Sequence, residues 1–325
     1  MSEPVDWEIP ARARPKVQDF GIDLERTLSA VLSLHARIPE EAFTASVLGT
    51  DRSGNGVVIG ADGLVLTIGY LITEAEEVWL FSADGRATPA HVVGYDQETG
   101  LGLVQALGRL NVRPIEIGSA RPLGEHDRVV VAGSGGLRRA LQAEIVAKRE
   151  FAGYWEYVLD EALFTAPAHP NWGGTGLITP EGRLAGIGSL YLRFGSDKED
   201  GRDGNMIVPI DLLPPILDDL TKFGRRRKPP RPWLGFYAAE VEDKLVVAGL
   251  AGGGPAEQAD LRVGDLIMDV GGEPVRDLAS LFRRIWARGD AGVEIPITVV
   301  RDGKSVGVSV RSADRASFLR APRLH

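Results

Sequence analysis

The sequence predicts a mainly β fold: two successive β-barrels, then a smaller unit of strands around one helix. Three observations carry this. Short apolar runs recur between turn residues, at the spacing of barrel or sandwich strands. Glycine is abundant, 40 of 325 residues, against an average of about 7%, and glycine supplies the positive φ that tight turns need. The run Gly224-Arg-Arg-Arg-Lys-Pro-Pro-Arg-Pro232 breaks the composition with prolines and like charges, which favour an extended, solvated linker over a basic docking patch.

Residues 1–20 contain prolines and polar groups and read as an extended arm. From Asp23 to Leu34 the apolar residues Leu24, Leu28, Val31 and Leu32 fall at helical spacing, with Asp23 as N-cap. Strand-like runs follow at Gly56–Ile59, Leu64–Thr67, Val78–Phe81, His91–Gly94 and Leu101–Gln105. Ala61-Asp62-Gly63 and Ala83-Asp84-Gly85 are hairpin signals between them. A second group runs through Arg128–Ala132, Ala143–Lys148, Tyr157–Leu159, Leu163–Ala166, Gly176–Ile178, Leu184–Leu190 and Asn205–Pro209. Asp211 to Phe223 reads as a helix. Beyond the linker, strands alternate with one clear helix, Asp277–Arg288, and a polar tail closes the chain.

Composition narrows the chemistry. Net charge is −8, the wrong sign for a general nucleic-acid binder. The absence of cysteine excludes disulfides, thiolate catalysis and Cys-based zinc sites. The five histidines, at 35, 91, 126, 169 and 325, make no HxH or HxxxH pair, so neither metal nor other cofactor is implied. No apolar run reaches membrane-spanning length. The N-terminus has no apolar h-region, so the chain reads as cytoplasmic, or as periplasmic if a leader was removed.

Several stretches resemble one known family. Residues 54–72, GNGVVIGADGLVLTIGYLI, resemble the segment leading to the catalytic His of the HtrA/Deg-type serine proteases. Residues 94–105, GYDQETGLGLVQ, resemble the segment around their Asp. Residues 165–178, TAPAHPNWGGTGLI, resemble their oxyanion loop and nucleophile, and 183–190, RLAGIGSL, the strand after it. The resemblance implies a chymotrypsin-like double β-barrel over 21–223. Trp233-Leu-Gly-Phe236 then resembles the carboxylate-binding loop of a PDZ domain. Gly254-Pro-Ala256, Ala259–Ile267, Gly272–Val275 and Val300–Lys304 follow in PDZ order. The domains implied are an arm (1–20), the barrels (21–223), a linker (224–232), a PDZ domain (233–315) and a tail (316–325).

The resemblance places Tyr70, Gly100 and Gly173 where the family has His, Asp and Ser. A nucleophile needs an adjacent base and an orienting carboxylate. A phenol titrates near pH ~10 and is a poor base at neutrality, and two glycines supply no functional group. The expectation is therefore a pseudoprotease, not an enzyme. Backbone oxyanion donors around Asn171–Gly173 could survive, and Trp172 adds apolar surface to a groove made by Asn171, Trp172 and Gly173. Ser134, in Gly133-Ser-Gly-Gly136, reads as a turn. Thr175 and His169 have no matched role, Ser53 reads as a loop hydroxyl, and His91 and His126 sit at strand edges.

The PDZ resemblance implies β-augmentation by a peptide whose terminal carboxylate sits on backbone N–H groups. The peptide-binding residues would be Trp233, Leu234, Gly235, Phe236, Leu281, Phe282 and Ile285, the last three on a helix whose apolar face is also a core face. The function expected is binding of peptides or protein C-termini as a scaffold or regulator. The alternatives are an unconventional serine-type endopeptidase and an assembly protein with a silent PDZ domain. Family members are commonly trimers held near the N-terminus, which would give Trp7 and Phe20 that role.

Overall fold

A computed structural model describes residues 7–195 and 201–320. It is mainly β. The first group of strands is β1 (Val31–Arg37), β2 (Asp51–Val58), β3 (Leu64–Ile68), β4 (Glu77–Phe81), β5 (Ala87–Tyr95) and β6 (Leu101–Ala106), closed into a barrel in the order β1-β2-β3-β6-β5-β4. Alternation of buried and exposed positions, clearest along β5, seats one face of each strand in the core. The β2–β3 hairpin turns at Gly63, whose φ is +91°, while the Asp62 carboxylate accepts from the Leu64 amide. The helix expected over 23–34 is shorter. Asp23 caps it as expected, accepting from the Arg26 amide at 3.1 Å, but α1 covers only Leu24–Leu28. Val31 and Leu32 belong to β1, because their pairing with Val57 and Gly56 of β2 outweighs the helical spacing, and Val31 is in addition β-branched and a weaker helix former. A single short turn of helix, α2 (Ala45–Leu48), precedes β2.

The second barrel is β7 (Arg128–Ala132), β8 (Ala140–Gly153), β9 (Tyr157–Ala166), β10 (Gly176–Ile178), β11 (Leu184–Phe194) and β12 (Arg202–Pro209), in the order β10-β11-β12-β9-β8-β7. The runs at 157–159 and 163–166 are one strand, β9. The C-terminal helix α3 (Pro214–Phe223) follows a 3-10 turn at Ile210–Leu212 and ends on Gly224 in the left-handed region. The described part of the arm is not free. Ile9 is buried in the core of the second barrel, and the Arg139 guanidinium lies over the Trp7 ring.

The chain forms two compact units, and Glu150–Asp160, the tip of the β8–β9 hairpin, belongs to the second with Arg227–Arg320. That unit holds β13 (Phe236–Val241), β14 (Lys244–Leu250), α4 (Pro255–Gln258), β15 (Leu266–Val270), β16 (Glu273–Pro274), α5 (Leu278–Trp286), β17 (Glu294–Arg301) and β18 (Lys304–Arg311). Its sheet runs β13-β14-β15-β17-β18, with β16 on β15. A capping box between Asp277 and Ser280 starts α5, close to the expected boundary. Two expectations are corrected. The linker is not wholly solvated: Arg226 pairs with Asp96 at 2.6 Å and with Glu98 at 3.3 Å in the first unit, and Arg231 lies over Trp286 in the second. The start of the tail is anchored, with Phe318 against Trp233; residues 321–325 lie outside the described residues.

Candidate functional site

Of the three positions 70, 100 and 173, the fold brings two into contact. Tyr70 follows β3 in a 3-10 turn. Its hydroxyl donates to the Ser189 carbonyl at 2.9 Å. A Cβ placed on Gly173 would lie 2.7 Å from that hydroxyl, so Tyr70 occupies the space a side chain at 173 would need. Burial pushes the phenol well above its ordinary range, and a hydrogen bond with the Trp172 side chain acts against that shift. Trp172 also packs against Tyr191. Gly100 turns the chain between β5 and β6 at φ +79°. Its carbonyl accepts from Gly69, the neighbour of Tyr70, at 2.7 Å.

The loop 171–173 is held by a residue that the sequence reading passed over. Asn55, fully buried on β2, donates its backbone N–H to the Gly173 carbonyl at 2.8 Å. Its side-chain amide donates to the carbonyls of Asn171 and Gly173, each at 3.0 Å. Its carbonyl oxygen accepts from the Ser134 amide at 2.9 Å. The available signal was an asparagine between two glycines inside an apolar strand, Gly54-Asn55-Gly56. The Asn171 N–H, expected as an oxyanion donor, instead donates to His169 Nδ1 at 3.2 Å. That leaves Nε2–H to donate to the Arg139 carbonyl, and burial lowers the pKa of His169. Both ring nitrogens of this histidine are thus engaged with the backbone. The Thr175 hydroxyl donates to the Trp172 carbonyl at 2.9 Å.

The second site is the loop Trp233–Phe236. Trp233 is fixed by reciprocal backbone bonds with Ala313. The N–H groups of Leu234 and Gly235 donate to the carboxylate of Glu156, Gly235 at 2.7 Å, and the Phe236 N–H contributes a further bond. Burial pushes Glu156 up to about 7, while these backbone donors and Arg315 act in the other direction. Leu234, Phe236, Leu281, Phe282 and Ile285 are fully buried and share one core cluster with Val158 from β9. The α5 face expected to wall the peptide groove lies in this buried cluster, and Glu156 was absent from the residues expected at this site.

The comparisons agree with this architecture. The chain matches the Trypsin-like peptidase domain family over residues 54–187 and the PDZ domain family over 232–311. It is 28% identical over 272 residues to a probable periplasmic serine endoprotease DegP-like of Pseudomonas fluorescens, covering 79% of this chain and 55% of that protein. The chain thus spans just over half the length of that relative. It is 28% identical to Protease Do-like 1, chloroplastic, of Arabidopsis thaliana, covering 88% of this chain and 69% of that one. Serine protease PepD of Mycobacterium tuberculosis is 26% identical, covering 80% and 61%. Among solved structures, HtrA-type protease AlgW with tripeptide aligns at TM-score 0.53 and 21% identity, covering 95% of this chain and 99% of that one.

These comparisons correct two expectations. The chain was expected to be no enzyme, yet the relatives it matches are named serine proteases and endoproteases, so that expectation does not stand. The cytoplasmic reading finds no support either: the relatives from Pseudomonas fluorescens and Haemophilus influenzae are named periplasmic. Among the described residues no helix is long and apolar enough to cross a membrane. The chain thus carries a trypsin-like peptidase domain followed by a PDZ domain, and with that content it is similar to the DegP-like, Do-like and PepD proteins named above.

Proposed function

We propose that this chain captures free protein C-termini or extended peptides as a scaffold or regulator, reading them through the domain at 233–315. On this reading Tyr70, Gly100 and Gly173 stand at the family's triad positions, and peptide capture draws on none of them. The observation that carries the proposal is the convergence of the Leu234, Gly235 and Phe236 N–H groups on one carboxylate. Backbone donors arranged this way bind an anion without a basic side chain, and charge-assisted bonds are roughly twice as strong as neutral ones. The loop Asn171–Gly173 is the second contact for an extended peptide. By analogy with the named relatives, the periplasm is favoured over the cytoplasm, and self-association through the arm that carries Trp7 and Phe20 is part of the same proposal. The test is an array of C-terminal heptapeptides in acid and amide forms, probed with the full chain. Selective retention of the acid forms is expected. Equal retention of both forms sinks the proposal.

A further inference from the structure

The tip of the β8–β9 hairpin lies on the carboxylate-binding loop in the register of a bound peptide. Glu156 puts its carboxylate on the Leu234 and Gly235 amides. Two residues earlier, the Tyr154 carbonyl accepts from the Ala238 N–H at 3.2 Å. Going from 156 to 154 in the tip thus accompanies going from the loop to Ala238 on β13. This is the antiparallel pairing of an added strand, with a side-chain carboxylate in place of a chain terminus. Around this core the Tyr154 ring meets Tyr237, and Val158 lies in the apolar cluster with Phe236, Phe282 and Ile285. Arg283 on α5 ties down both flanks of the tip, pairing with Glu150 at 2.5 Å and Asp160 at 2.6 Å. Glu156 itself sits at φ +60°, a region a non-glycine residue occupies only when its surroundings hold it there.

We infer that Gly153–Tyr157 is a built-in competitor of C-terminal peptides for the loop Leu234–Phe236, so that a peptide binds only when Glu156 has left it. This rests on the peptide-binding reading above and adds its regulation: the chain is self-occupied until a better carboxylate arrives. Because Val158 shares the apolar cluster, the incoming peptide's last side chain is expected to be small, branched and apolar. Apparent affinity is the intrinsic affinity scaled by the fraction of chains with the loop vacant, so removing the competitor tightens binding without any new contact.

The test uses the full chain and a fluorescein-labelled heptapeptide ending in valine, as free acid and as amide, read by fluorescence polarisation. Glu156→Ala should bind the acid at least about tenfold more tightly than wild type, Glu156→Gln, which keeps a neutral group of the same shape on the loop, should bind it no more tightly than wild type, and the amide should gain nothing. Acid preferred over amide, but with equal affinity in wild type and both variants, overturns the competitor and leaves the peptide-binding reading intact. No preference for the acid in any protein overturns that reading and the inference with it. A measurement on wild type alone guards against a variant that fails to fold. Saturating acid peptide should speed hydrogen exchange across 150–160, and unchanged exchange with peptide bound overturns displacement.

Discussion

Substituting Gly173 by alanine probes what fills the site at that position. Gly173 has no positive φ, so its backbone accepts alanine, and the obstacle is space alone. The new Cβ would lie 2.7 Å from the Tyr70 hydroxyl, 3.6 Å from Tyr70 Cζ and 3.7 Å from Leu71 Cδ1. Only the first contact is untenable. Relief requires Tyr70 to give up its bond to the Ser189 carbonyl, a net loss of about 1 kcal/mol, or the neighbours to shift, which in packed interiors costs about 1–3 kcal/mol. Tyr70→Phe alone forfeits the hydrogen bond but removes the offending oxygen, leaving the ring carbon at ordinary contact distance. Gly173→Ala should therefore destabilise the first unit by about 1–3 kcal/mol, and the double variant should be more stable than the sum of the singles by about 1–2 kcal/mol. Gly174→Ala serves as the control. Its φ is +76° and its Cβ would run into the Asn55 backbone carbonyl, so Tyr70→Phe should not rescue it. The assay is native-state hydrogen exchange of β10 and β11 under increasing urea, which isolates this unit from the other. Additivity of Gly173→Ala and Tyr70→Phe within about 0.5 kcal/mol would refute the idea that the hydroxyl excludes a side chain at 173.

Three further outcomes follow from other contacts. Asn55→Ala strips buried partners from the carbonyls of Asn171 and Gly173 and the amide of Ser134; it should cost about 2–4 kcal/mol in the same exchange assay, with loss of protection at 171–175. Asp265, buried in the second unit, accepts two bonds from Arg301, each at 2.7 Å, and these hold its carboxyl below the usual range. A depressed carboxylate contributes stability present above its unfolded pKa of ~3.9 and lost as pH falls through the folded value. Urea midpoints of the second unit should therefore drop below about pH 4, and Asp265→Asn should reduce that dependence, leaving the smaller share of Asp260, which Arg262 and Arg301 also hold low. Glu156 runs the opposite way. Its pKa is pushed up to about 7, so docking of the tip is strongest below the ordinary glutamate pKa of ~4.3 and weakens as pH rises through about 7. The groups that face it are Arg315 and the phenols of Tyr154 and Tyr237, and the flanking Glu150 and Asp160 are paired with Arg283. Peptide affinity of wild type should fall on acidification from pH ~8 to ~5, and Glu156→Gln should be flat across that range.

The fold was legible wherever local pattern and tertiary demand agree. The apolar runs of β3 and β6, the hairpin at Gly63 and the capped helix α5 are each specified by residues within a few positions. It was less legible where long-range pairing decides. Val31 and Leu32 fit a helix by spacing and were drawn into β1 by partners more than twenty residues away. The same holds for the sites. Tyr70, Gly100 and Gly173 are found by resemblance, because motifs are contiguous. Asn55 and Glu156 act through bonds that span well over seventy positions, and nothing near Glu156 in the chain marks it as the partner of Leu234 and Gly235. The one trace was an acid among aromatics, Tyr154-Trp155-Glu156-Tyr157, in a stretch that had to turn.

A segment tethered beside its own binding loop competes at an effective concentration on the order of millimolar, so a free peptide at micromolar levels displaces it only if the tip is intrinsically a poor ligand. Two features make it one. Glu156 holds a left-handed backbone at φ +60°, which for a non-glycine residue costs about 1–2 kcal/mol and is relieved on release. Its carboxylate is also fully desolvated, the reason its pKa climbs to about 7, whereas the terminal carboxylate of a flexible peptide reaches the same donors without the strained turn. The three N–H groups still gain from the arrangement, since a buried donor left without an acceptor costs about 1–3 kcal/mol. The tip is therefore strong enough to satisfy the loop and weak enough to yield it, the balance a reversible switch requires.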